Sequence, residues 1–103
     1  MFARLVSVRL KTGRAGELTR LLDQHVIPVL WAQKGFQDEL CLVASNGVDA
    51  TGISVWDLKE NAETYGSGTY ADVLKLLEPL CEGTPQVQTY EVTNSTFHKI
   101  PVA

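Results

Sequence analysis

The first residues of the chain, Phe2 to Leu10, alternate between two sides. Phe2, Val6, Val8 and Leu10 fall on one side, and Ala3, Leu5, Ser7 and Arg9 on the other. A period of two with β-branched residues predicts a strand. Arg4 interrupts its more apolar side, and Lys11-Thr12-Gly13 closes it with turn chemistry. From Arg14 to about Lys34 the period lengthens. Ala15, Leu18, Leu22, Val26 and Val29 recur at steps of three and four, and Leu21, His25 and Leu30 widen the stripe. This is one face of a helix. Pro28 falls inside it, so a kink or a second helical segment is expected there, and Gly35 provides the stop. Residues 38–45 and 52–58 read as two further strands joined by a connection containing Asn46-Gly47. A short helix follows over 59–67, with Asn61 as its expected cap, broken by Gly66 and Gly68. Thr69 and Asp72 have capping-box spacing before the apolar run Val73, Leu74, Leu77 and Leu80, which predicts a second main helix. Residues 86–97 predict a fourth strand, and 98–103 a short tail.

The order strand, helix, strand, strand, helix, strand predicts an α+β, ferredoxin-like βαββαβ fold with a four-stranded antiparallel sheet. Right-handed crossovers place strands 1 and 3 in the centre, with both helices on one face. The other face should then be polar in a monomer. It is not: Ala3, Leu5, Leu40, Leu42, Ile53 and Val55 stand opposite the apolar residues of the helix-facing side. Leaving four such side chains in water, at roughly 1.5–3 kcal/mol each, would rival the stability of a domain this small. A second copy across a two-fold axis is the simplest cover, so a homodimer through the helix-free sheet face, a dimeric α/β barrel, is expected.

At 103 residues the chain makes one domain, expected to span 1–103 with its core over 3–97. With 45% hydrophobic and 20% charged residues it is a globular composition, and a net charge of −3 argues against nucleic acid or a membrane surface as partner. The N-terminal residues lack the layout of a signal peptide, so a cytoplasmic location is expected. Cys41 and Cys81 form no CxxC and read as small buried hydrophobes. Asn94-Ser95-Thr96 matches a glycosylation sequon that means nothing in the cytoplasm. His25 and His98 have no partner at metal-ligand spacing, and no phosphate- or dinucleotide-binding motif occurs, so neither metal nor cofactor is expected.

Over residues 3–97 the chain resembles the antibiotic biosynthesis monooxygenase (ABM) domains of the dimeric α/β-barrel superfamily. The likeness rests on the strand ending Lys11-Thr12-Gly13, the helix with Pro28, Gly35-Phe36 seven and eight residues on, and Trp56 late in strand 3 before Asp57-Leu58-Lys59-Glu60-Asn61-Ala62. The resemblance implies the fold and the dimer. It also implies a cleft between helices and sheet for a small apolar or aromatic metabolite, oxidised without metal or flavin in some members and haem-degrading in others. Of the residues of the quinone-forming members only Trp56 is matched, since Gly52 and Ala62 stand where those have Asn and Tyr. Of the haem-degrading pattern only Tyr65 is approximated, with Val6 in place of the strand-1 Asn and Lys75 near the position of the His ligand.

Cofactor-free oxygenation asks the protein for desolvation, orientation and a base. Trp56 is the first candidate for orienting a ring, although a core aromatic is equally served by that position. Tyr65 and Tyr70 flank Gly66-Ser67-Gly68 and could point two phenols at a ligand. His25, beside the helix stripe, is of the residue type that most often serves as a general base, although a lone histidine there also suits a helix edge. Trp31 and Phe36 more simply pack. Arg4 could neutralise an anion and, if buried, needs a partner, with a carboxylate the obvious one. Arg9 falls on the opposite face, and His98 is expected to be exposed. The leading expectation is a cofactor-independent monooxygenase using Trp56, Tyr65, Tyr70 and His25. The competing ones are a non-catalytic dimeric ligand-binding or interaction module and, less favoured, a haem-binding or haem-degrading protein.

Overall fold

The computed structural model describes residues 1–100. The elements are β1 (Phe2–Leu10), α1 (Ala15–Leu21), a π-helical turn (Leu22–Val26), α2 (Ile27–Trp31), β2 (Phe36–Val43), β3 (Asp49–Trp56), α3 (Lys59–Ser67), α4 (Tyr70–Leu77), a 3₁₀ turn (Glu78–Leu80) and β4 (Cys81–Glu91). The strands lie in the order β2-β3-β1-β4 with every neighbouring pair antiparallel. This is the expected α+β ferredoxin-like fold, with β1 and β3 central. Part of the expected tail, 101–103, lies outside the described residues.

The first helix owes its form to a constant step of four. Leu18, Val26 and Leu30 are buried, and Leu22 packs on the same core. In an α-helix, at 3.6 residues per turn, such a row drifts off one face. The wider π-helical turn absorbs the extra residue and keeps the row inward. It ends at Val26, and Pro28, which has no N–H to give to the helical ladder, follows directly in the first turn of α2, at the change of helical register.

Several boundaries move from those the pattern predicts. β2 begins at Phe36, two residues early, because a bulge at Gln37 lets Phe36 pair with Trp56 while Asp38 pairs with Val55. β3 begins at Asp49 because the Asn46 side chain tightens the hairpin, its Oδ1 accepting from the N–H groups of Val48 and Asp49. β4 runs over Cys81–Glu91 rather than 86–97. Leu10 pairs directly with Cys81, and an irregularity in the ladder takes up Gly83 and Pro85, which an edge strand tolerates. The strand stops where its partner β1 runs out, the last bond passing from Val92 N–H to Met1 O. Neither expected cap forms through its own side chain. Asp57 Oδ1 accepts from Leu58 N–H and from Asn61 Nδ2, which makes Asn61 a donor behind the helix start rather than its cap. Thr69 makes no side-chain cap bond; its carbonyl accepts from Asp72 N–H at 3.0 Å.

Gly35 joins the first helix to β2 at φ +81°, and its carbonyl accepts from Asp57 N–H. A Cβ there would overlap Asp57 Oδ1 and Asn61 Nδ2 and lie 2.9 Å from Asn61 Cβ, splitting the pair that starts α3. Gly47 has a similar φ of +76° with open space around it. Gly35→Ala should therefore cost about 3–5 kcal/mol in urea unfolding, and Gly47→Ala only the backbone penalty of about 1–2 kcal/mol. Equal losses would show that the contact with Asp57 and Asn61 does not matter.

Candidate functional site

Strand register decides which side chains meet beneath the helices. On β1 the helix-facing set is Phe2, Arg4, Val6, Val8 and Leu10. Arg4 pairs with Ser54 and Ser54 with Glu39, so Arg4, Ser54 and Glu39 form one transverse row. Val6, Gly52 and Cys41 form the next. Above these rows the first helix contributes Leu22, Val26 and Leu30, and α4 contributes Val73 and Leu77. The space between is an apolar cleft of about 70 Å³. Gly52 explains it: a Cβ at this central position would meet nothing within 4 Å. A side chain is missing from the one place on the floor where it would fill the gap.

One wall is aromatic. Trp56 is completely buried and donates its indole N–H to Ser54 Oγ at 2.9 Å. Phe36 meets it edge-on at 5.6 Å, and Tyr65 stacks on it at 5.0 Å. Tyr70 meets Tyr65 edge-on at 6.0 Å. Such contacts fix ring positions as well as burying area. Tyr65 and Tyr70, on either side of the Gly66-Ser67-Gly68 break, line the cleft. Trp56 does not. Its N–H is taken by Ser54 and its faces by other rings, so it holds Tyr65 in place and cannot orient a ligand through its nitrogen.

Arg4, 5% exposed, lies beneath these tyrosines, its Cζ 5.1 Å from the Tyr65 ring and 4.5 Å from that of Tyr70. No carboxylate among the described residues is within ion-pair distance of it. The expected carboxylate partner is replaced by two aromatic faces, which attract a cation without accepting its N–H groups in the manner of an anion. Burial lowers the Arg4 pKa, partly offset by the tyrosines. Burial also pushes the Tyr65 phenol up to about 12 and raises that of Tyr70, in both cases against the pull of Arg4. Both phenols are therefore neutral donors near pH 7. At the far end of the row Glu39 is half-buried, and burial, then Asp23, raises its carboxyl above the usual range.

His25 is exposed and outside the cleft: the π-helical turn aims Leu22 and Val26 inward and leaves His25 in water. Lys75, near the position of the haem ligand in the haem-degrading pattern, is also exposed. Trp31 is largely exposed and packs edge-on against buried Phe36. Arg9 is exposed beside Glu82 at 3.7 Å. His98 departs from its expected exposure: its ring is half-buried against Asp38 of β2. Cys41 and Cys81 are free thiols, the first half-buried and the second buried. Among the described residues no three His, Cys, Asp or Glu side chains gather to hold a metal ion, and no helix is long and apolar enough to cross a membrane. Sequence reasoning missed Glu39. The signal was its parity with Cys41 and Val43, which puts an acid on the apolar side of β2.

No family model matches the chain, and no curated protein matches it. Solved structures do. A monooxygenase from the ActVA-Orf6 gene of Streptomyces coelicolor, in complex with nanaomycin D, superposes with a TM-score of 0.78 at 14% identity, covering 95% of this chain and 92% of that one. An arginine-to-serine mutant of MhuD, with two manganese protoporphyrin IX bound per active site, gives 0.75 at 14% identity over 93% and 98%. A Deinococcus radiodurans protein provisionally named an antibiotic biosynthesis monooxygenase gives 0.73 at 15% identity over 92% and 95%. At such identities the likeness is one of fold. Sheet order and helix placement together give this chain the fold of the antibiotic biosynthesis monooxygenase domains.

Proposed function

We propose that the protein is a cofactor-independent monooxygenase of a small aromatic metabolite, acting in the cytoplasm as a homodimer. The observation that carries this reading is the Gly52-floored apolar cleft, walled by two neutral phenols and ended by a half-buried carboxyl. The substrate is a ring system with an acidic CH₂ group. Glu39, its carboxyl made a stronger base by burial, takes one proton from that carbon. The carbanion passes its electrons to dioxygen, a C–O bond forms, and the peroxide takes the proton back from Glu39. Loss of the second C–H proton with the outer oxygen breaks the O–O bond and yields a ketone and water. Tyr65 and Tyr70 orient the ring and donate to its oxygens. The cleft is small, so a substrate ring must displace Tyr70 and the turn at Gly66 to Thr69. His25, in water, plays no part in this scheme.

The dimer is supported by the open face of the sheet. Leu40 and Leu42 are each about half exposed, at 51% and 50%, as is Tyr90, and they share that face with Leu5, Ile53 and Val55. The segment after β4 borders one end, where Phe97 is 83% exposed beside Leu40 and Ile53. Two free thiols suit a reducing compartment. The competing reading, a binding module without turnover, requires the same cleft and differs only in chemistry.

Gly52→Val should fill the floor of the cleft. Replacing a strand glycine in open space should raise stability by about 0.5–1 kcal/mol in urea unfolding while abolishing both ligand-dependent thermal shift and oxygen uptake with anthrone-type substrates. Retained uptake would place the chemistry elsewhere; thermal shift without uptake in the unaltered protein would favour the binding module. Sedimentation should give a dimer at micromolar concentration and a monomer for Leu40→Lys; a monomeric parent protein would remove the dimer. Tyr65 binds its proton more tightly folded than unfolded, so its contribution holds below pH 10 and fades up to about pH 12, by at most ~1.4 kcal/mol per pH unit. Ultraviolet titration should show one tyrosine ionising near 12, and this step should be absent in Tyr65→Phe.

A further inference from the structure

We infer that the cleft selects ligands bearing an anionic oxygen, and that Arg4 is the residue that binds it. The inference rests on the reading of the cleft as a ligand site and names the class of ligand it takes: an aromatic ring carrying a carboxylate, or an enol or phenol bound as its anion.

Arg4 is 95% buried and has neither an ion pair nor a side-chain hydrogen bond among the described residues. A guanidinium carries five N–H donors and stays charged at neutral pH. Buried charge without a counter-charge is costly, and the two rings that face Arg4 supply only the attraction of their π-clouds. Neither can become its counter-ion near pH 7, because burial holds both phenols in the protonated form. The donors are not sealed off: no buried side-chain nitrogen or oxygen lacks a partner, and Arg4 forms part of the wall of two cavities. One is the cleft. The other is an outer basin of about 420 Å³ between α3 and the β1–β4 edge, lined by Phe2, Ala62, Gly66 and Val87. The unspent donors of Arg4 thus border open space, with the cleft on one side and the basin on the other.

The acids near this space do not serve as its counter-charge. Glu39 lies across Ser54 on the third strand of the row, about two strand spacings or ~10 Å away in the backbone. Glu63, at the rim of the outer basin, is exposed and lies 3.8 Å from Lys59. Ring and acid have separate places: the apolar body lies against Leu22, Val26, Leu30 and Val73, and the anionic oxygen meets the guanidinium. Gly66 sets the position of that group. A Cβ there would come within 3.3 Å of Arg4 Nε and Nη2, so a side chain at this position shifts the guanidinium by a few tenths of an ångström and narrows the space in front of its donors.

The test compares each acid with its neutral amide, benzoate with benzamide and 2-naphthoate with 2-naphthamide, by calorimetric titration at pH 7. The acids should bind the unaltered protein at least tenfold more tightly than the amides. That preference should vanish in Arg4→Met, survive in part in Arg4→Lys, and fall severalfold in Gly66→Ala, with affinity for the amides unchanged. Gly66→Ala leaves the core intact and decides the matter if Arg4→Met does not fold. Equal affinity for acid and amide in the unaltered protein would overturn the inference while leaving the cleft as a site for neutral rings. A preference that persists in Arg4→Met would overturn it too. Failure of all four compounds to bind would remove the ligand site itself.

Discussion

The interaction on which the rest depends is the burial of Trp56 against Phe36, Tyr65 and Ser54. Trp56 comes at the end of a central strand, with no surface left in water and its single donor taken within two residues of its own backbone. Its ring joins β2, through Phe36, to α3, through Tyr65. From Tyr65 the contacts continue to Tyr70 at the start of α4 and down to Arg4 on β1. Helices and sheet are therefore tied at one end by aromatic contacts, and the position of the cleft wall follows from the core rather than from a loop.

The same arrangement explains why a cavity persists under the helices. Close-packed interiors leave few voids, and a hole normally means a missing side chain. Here it is the side chain of position 52, absent between Val6 and Cys41 on the neighbouring strands. The π-helical turn matters equally, because it keeps Leu22, Val26 and Leu30 in one row above the hole. With apolar rows above and phenols at the side, the cleft excludes water from most of its wall and offers two hydrogen-bond donors at one end.

Glu39 and Arg4 show how one row of the sheet can hold opposite chemistry. Both face the helices and they are separated by Ser54, whose hydroxyl is occupied by Trp56. Burial drives both towards their neutral forms, raising the carboxyl and lowering the guanidinium. A carboxyl and a guanidinium, each half or more withdrawn from water, are thereby kept apart on one rigid surface.

Order of elements, sheet order, the break near Pro28 and the stop at Gly35 are all legible in the chain, because periodicity and backbone chemistry are local properties. The exposed apolar face was legible too, from the parity of Leu40, Leu42, Ile53 and Val55. The ends of β4 were not: Gly83 and Pro85 look like a loop until β1 offers them an edge to pair with. Trp56 reads equally as wall or core, and only packing showed its N–H spent on Ser54. His25 and Arg4 depend on rotation and neighbours. A single widened turn sends His25 into water, and two tyrosines more than sixty residues away in the chain decide that Arg4 lies under rings instead of against a carboxylate. The sequence by itself determined which segments become strands and helices and which of their faces are apolar. Tertiary structure alone decided which polar groups share a cavity, because that depends on distances between residues remote in the chain.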